Sequence, residues 1–160
     1  MIHLYFFLVG TVFASFLGLV IDRFPERSII TPASYCNACE KRLAPRDLIP
    51  IISQVLNHLR CRFCGDKIPL RYFFFECILG GLFLATSFGT ISISQLLLLT
   101  MGLTLAIYDQ REQQYPLMVW LIFQLLLMVT AGVNLLMLFF LALGLLAFFY
   151  NLRIGAGDFL

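Results

Sequence analysis

Charge is what this 160-residue chain most lacks: Asp, Glu, Lys and Arg make up only 12% of it, against about 25% in soluble domains. Hydrophobic residues make up 61%, with a mean hydropathy of +0.92, more apolar surface than a globule of this length can hide. Disorder is excluded by the same numbers, since 17 Phe on a Leu-rich background are the opposite of a disordered composition. Five Cys are too few for a secreted disulfide scaffold. No basic segment precedes the first apolar run and no small-residue cleavage site follows it, so that run reads as a retained span and not a leader. No nucleotide-type binding fingerprint is visible, and no nucleic-acid partner is expected. The composition is that of an integral membrane protein, with lipid as its first partner.

The apolar residues are unevenly placed. A first span covers residues 1–21 and ends in Asp22-Arg23, at about the minimum length for a bilayer. Residues 22–71 break the pattern, holding nine of the 11 Lys and Arg, four of the five Cys and most of the proline. From Tyr72 the chain is almost continuously apolar, with spans expected near 72–88, 92–108, 116–130 and 134–151. Gly89-Thr90, the polar segment Asp109–Tyr115 and Ala131-Gly132 are the expected breaks. No internal repeat stands out. The expected fold is an all-α, multi-pass membrane protein of about five helices with a small zinc-ribbon-like loop domain.

The loop carries Arg23, Arg27, Lys41, Arg42, Arg46, Arg60, Arg62, Lys67 and Arg71, which the positive-inside rule places in the cytoplasm. Parity then puts segment 109–115 and the 152–160 tail on the same side, with Arg111 and Arg153, the two remaining basic residues. A bacterial cytoplasmic membrane is the expected location.

Two CxxC pairs occupy the loop, Cys36–Cys39 and Cys61–Cys64, with 21 residues between them. Two intervening residues let both thiolates of a knuckle reach one tetrahedral ion, and two knuckles complete four ligands. Structural zinc on Cys36, Cys39, Cys61 and Cys64 is the expected occupant; a reducible dithiol or chance pairing are the alternatives. A closed four-thiolate site has no open position for substrate, so its work is folding. Gly65 suits the turn after the second pair. Cys77, His3 and His58 read as structural.

Two carboxylates sit at the ends of spans: Asp109 after the third and Asp158 after the fifth, the latter preceded by Gly155 and Gly157. An ionisable group near membrane depth is a functional candidate. Topology brings both to one membrane face. Two close carboxylates do not both ionise easily, so one stays protonated while the other acts as base. That arrangement activates a water on a peptide carbonyl and protonates the leaving amine. Each alone also reads as a solvated loop residue, as does Glu112.

These blocks, in this order, resemble the type IV prepilin peptidase family, most of all its competence-associated Gram-positive members. Ala14–Pro25 is similar to the family's opening span and its exit. Pro32–Cys39 resembles its first knuckle, and Leu48–Ser53, Cys61–Cys64 and Arg71–Glu76 continue that domain. Asp109, with Pro116 seven residues on, resembles the first catalytic motif, and Gly155-Ala156-Gly157-Asp158 the Gly-x-Gly-Asp motif. The resemblance implies an aspartic endopeptidase cutting prepilin or pseudopilin leaders at the cytoplasmic membrane face, with Asp109 and Asp158 as the catalytic pair. In many relatives the Cys-rich region is linked to N-methylation with S-adenosylmethionine; no residues for that cofactor are assigned here. The chain departs from the family pattern at Leu117, where Asp is common, and at Leu160, where Lys is common. Relatives also continue beyond Gly-x-Gly-Asp, so residues 72–160 are expected to be an incomplete peptidase region, from a fragment or a truncated form. A non-catalytic membrane scaffold that docks a pilus or competence partner through its zinc ribbon is the competing reading.

Overall fold

The computed structural model describes residues 1–24, 28–36, 38–112, 117–133 and 135–149. Its helices are α1 (Ile2–Arg23), α2 (Ile52–Leu56), α3 (Leu70–Ser87), α4 (Ile93–Glu112), α5 (Leu117–Ala131) and α6 (Leu135–Phe149), with a 3-10 turn at Pro45–Leu48. Among the described residues there is no strand, only two isolated β-bridges. The chain divides into two compact units, residues 1–91 and 92–160.

In the first unit α1 packs along α3 because small residues recur on its inner face at Gly10, Ala14 and Gly18, each four residues from the last. The approach is close. A methyl group at Gly10 would stand 2.8 Å from the Phe83 Cβ and 2.9 Å from the Leu79 carbonyl, and one at Gly80 would stand 2.7 Å from Thr11. Ala14, Leu17 and Ile21 of α1 are buried, as are Phe75 and Leu79 of α3. The opposite face of α1 shows Leu4, Leu8, Val12 and Phe16 to the surroundings at 47–63% exposure. Both helices are long and apolar enough to cross a membrane, and an apolar outer face is what lipid requires.

Both ends of the pair are tied. At one end Arg71 Nη2 donates to Asp22 at 3.3 Å and the Tyr72 hydroxyl donates to the same carboxylate. At the other, His3 Nδ1 lies 2.9 Å from Ser87 Oγ, with its ring stacked on Phe88.

In the second unit α4 turns Leu96, Thr100, Thr104 and Tyr108 inward, one residue per turn. The threonine hydroxyls donate back to Leu96 and Thr100 carbonyls at 2.7 Å, which satisfies both of them on that face. Val119, Phe123 and Leu127 are the buried apolar residues of α5, and Trp120 lies over the Gly144 backbone of α6. The segment Asp109–Tyr115, expected as a break, is in part helix: α4 runs on to Glu112. Gln, Arg and Glu are good helix formers, so charge alone does not end the helix, and Asp109 stands on α4.

Candidate metal centre and the carboxylates around it

The two Cys pairs fold into one motif repeated 25 residues on. The Cys36 N–H donates to Lys41 C=O (3.0 Å) as Cys61 N–H does to Asp66 C=O (2.8 Å). Glu40 N–H donates to Cys36 C=O (2.8 Å) as Gly65 N–H does to Cys61 C=O (2.9 Å). The bridge Tyr35–Arg42 recurs as Arg60–Lys67. Each knuckle needs a left-handed residue right after its second Cys. Gly65 supplies it at φ +72, as its place in the sequence leads one to expect, and Glu40 adopts φ +55 in the first knuckle without a glycine's freedom. This repeat is missed by the sequence reading because little besides the cysteines is common to both copies.

The knuckles bring the Sγ atoms of Cys36, Cys39, Cys61 and Cys64 within 4.8 Å of one another, all as free thiols. Sulfurs at about 2.3 Å from one zinc ion would be about 3.8 Å apart along a tetrahedron's edge. Cys36 Sγ and Cys64 Sγ are 3.8 Å apart. The donor set and its spacing fit a closed four-sulfur zinc site.

The backbone N–H groups of Cys64 and Phe63, helped by neighbouring thiols, bring the Cys61 thiol down to about 7 against the effect of burial. At Cys64 the Asp66 N–H pulls the same way, but burial and the crowding of the other three sulfurs push it up to about 12. A metal ion held by these four sulfurs would displace a proton from Cys64.

Side-chain contacts from within and around the knuckles hold them in place. Arg23, at the end of α1 and itself buried, donates to the carbonyls of Pro32 (2.5 Å) and Ala33 (3.3 Å) and lies over the Tyr35 ring. Arg62 pairs with Asp47 at 3.5 Å, and Lys41 and Arg62 both stand over the Phe63 ring.

A further carboxylate binds the loop to the helices. Glu76 of α3 is 4% exposed. It accepts from the Ile51 N–H (2.7 Å) and from Gln54 Nε2 (2.6 Å), with the Ser15 hydroxyl of α1 as another donor. Ile51 reaches it from a turn of positive φ, closed by the Ile52 N–H on the Pro50 carbonyl. Of the expected catalytic pair, Asp109 is half-buried on α4, beside the 1%-exposed Tyr108. Asp158, its flanking glycines and Pro116 lie outside the described residues.

Residues 8–89 match the family model for the bacterial peptidase A24 N-terminal domain, a little over half of the chain. The chain belongs to the prepilin peptidase family. Among similar proteins, the prepilin leader peptidase/N-methyltransferase of Klebsiella pneumoniae is 33% identical over 123 residues, 70% of this chain and 54% of the relative. Its namesake in Myxococcus xanthus (strain DK1622) is 40% identical over 82 residues, 51% of this chain and 24% of the relative. That of Bacillus subtilis (strain 168) is 36% identical over 80 residues, 49% of this chain and 32% of the relative. The chain thus spans about half or less of the length of these curated relatives. No solved structure matches it.

The prepilin peptidase segment 8–89 holds both the cysteine cluster and Glu76. The cysteines are legible by spacing. Glu76 appears in the sequence only as the end of a matching block, yet a signal was there: it is a lone acid among Tyr72–Phe75 and Cys77–Leu79, inside an apolar run.

Proposed function

We propose that this protein removes the leaders of type IV prepilins or prepilin-like pseudopilins at the cytoplasmic face of the bacterial cell membrane. In this reading five helices, α1 and α3–α6, span the bilayer, and the Cys-rich loop lies on the cytoplasmic side with its basic residues. Asp109 and Asp158 form the catalytic pair. One carboxylate takes a proton from water as that water attacks the scissile carbonyl; the other, protonated, gives its proton to the departing amine. The substrate's apolar helix lies in the bilayer beside the spans, so lipid supplies part of the recognition.

The observation that carries this reading is the family match over 8–89, the segment in which the four sulfurs converge. Zinc on Cys36, Cys39, Cys61 and Cys64 orders the loop and takes no part in the cut. The relatives' printed names include N-methyltransferase, and a methyl transfer from S-adenosylmethionine to the new amino terminus is the companion activity proposed.

The test is co-expression of the full chain with a prepilin-like substrate, reading leader removal by mobility, beside Asp109→Asn and Asp158→Asn. The expected result is processing by the parent and none by either variant, all three being inserted in the membrane. Processing that survives either substitution contradicts the aspartic mechanism. A parent that inserts but does not cut supports the scaffold reading instead.

A further inference from the structure

Residues 48–56, Leu-Ile-Pro-Ile-Ile-Ser-Gln-Val-Leu, sit in the middle of the charged loop and contain no charge. Their exposure is the reverse of a surface segment's. The two polar side chains, Ser53 and Gln54, are each 7% exposed, while Leu48, Ile49, Ile52, Val55 and Leu56 stand out at 44–72%. In water an amphipathic turn buries its apolar face and solvates its polar one. Five large aliphatic side chains on one short stretch mark a surface made to be covered.

Glu76 fixes how deep this segment lies. The 18 residues of α3 extend about 27 Å, slightly less than the roughly 30 Å of a bilayer's hydrocarbon core. A spanning α3 of that length enters the layer at its first turn, with Arg71 at the water boundary. Glu76 comes six residues after Leu70, about 9 Å along the axis, and both Ile51 and Gln54 bond to it directly. The turn and α2 are held at that depth.

Non-helical backbone is tolerated there only when its polar groups are satisfied within the protein. The Ile51 N–H goes to Glu76, Ile52 N–H to Pro50, Ser53 N–H to Ile49 and Val55 N–H to Ile51. A surface turn of positive φ has no need of a buried carboxylate to receive its N–H; a turn inside lipid does.

We propose that residues 48–56 form a re-entrant segment whose aliphatic face lies against lipid acyl chains, anchored in the bilayer by Glu76. The segment divides the loop in two: the knuckles face water, and the turn between them dips back into the membrane beside α1 and α3. This rests on the reading of α3 as a spanning helix, and the test separates the two.

Tryptophan is introduced singly at Ile52, Val55 and Leu56 in a Trp120→Phe background, which removes the native indole. The full chain is reconstituted in phosphatidylethanolamine/phosphatidylglycerol vesicles containing phosphatidylcholine brominated on its acyl chains. Ile78→Trp on the outer face of α3 reports lipid, and Ile30→Trp, at an 85% exposed position of the loop, reports water. Emission at 52, 55 and 56 is expected to be lost to bromolipid as at 78, and to resist aqueous acrylamide. Quenching by acrylamide overturns the inference, as does quenching by neither agent, which would mean that protein covers the face. Loss of the bromolipid signal at 78 itself strikes the membrane reading of α3 instead. If Trp120→Phe does not fold, the same positions are read as increments of bromolipid quenching over the parent. In the Ile52→Trp chain, Glu76→Ala is expected to release the introduced indole to acrylamide and Glu76→Gln, which keeps an acceptor, to hold it; unchanged bromolipid quenching with Glu76→Ala contradicts the anchor.

Discussion

At the scale of single residues, the two knuckles are an internal comparison. Gly65 and Glu40 occupy the same left-handed position, at φ +72 and +55, and only one of them is a glycine. The left-handed region costs a residue with a Cβ about 1–2 kcal/mol, against which a glycine loses more chain entropy on folding. Beyond its chain neighbours no atom lies within 4 Å of a methyl group placed at Gly65, so the penalty of Gly65→Ala there is conformational alone. Because metal binding and loop folding are one equilibrium, these terms are readable as zinc affinity in a chelator competition. Gly65→Ala is expected to weaken zinc binding by about fivefold, and Glu40→Gly to tighten it by about two- to fivefold. Equal affinities in both variants would show that the knuckle is not strained where the backbone says it is. Gly65's role is visible in the sequence, since a glycine just after a CxxC pair has a mechanical meaning. Glu40's is not, because nothing in its side chain announces a positive φ.

At the scale of elements, the pairing of α1 with α3 depends on the absence of side chains. Gly10→Ala drives a methyl into the Leu79 carbonyl and the Phe83 Cβ, and the backbone atom has little freedom to yield. Overpacking of this kind costs about 1–3 kcal/mol, and the expected result is a lowered Tm in detergent. Gly81→Ala, on α3 with nothing within 4 Å, is the control. Ala is a better helix former than Gly by about 1 kcal/mol, so its Tm is expected to hold or rise; a fall as large as that of Gly10→Ala would contradict the packing account. The long helices were legible in the sequence as apolar runs, because length and hydropathy are local properties. Their pairing was not, since it depends on Gly10 meeting Phe83 and Gly80 meeting Thr11 across some 70 residues of sequence. α4 runs four residues beyond the span expected for it for a related reason: the acidic and basic residues after Tyr108 suggest a loop, but Gln110, Arg111 and Glu112 favour helix.

At the scale of the molecule, the first unit is a pair of apolar helices carrying a cysteine-built cap. Two kinds of tie join cap to helices, Arg23 on the Pro32 and Ala33 carbonyls and Glu76 on the Ile51–Gln54 turn, while Arg71 and Tyr72 on Asp22 tie the two helices to each other. The cysteines declare themselves by spacing, whereas the ties to the cap join residues 9 to 25 apart that no motif links, and they are visible only in the folded chain. In the zinc reading an ion among the four thiols holds the cap's shape, since the loop has little buried apolar side chain: Cys61 is the one buried hydrophobic residue of the loop's described part. The most direct test is the metal content and zinc K-edge absorption of the full chain purified in mild detergent. One zinc per chain, bound by four sulfurs at about 2.3 Å, is the predicted result, with Cys36→Ser losing the metal. A chain that carries no zinc, or a zinc bound by nitrogen or oxygen in place of any of the four sulfurs, would contradict the account.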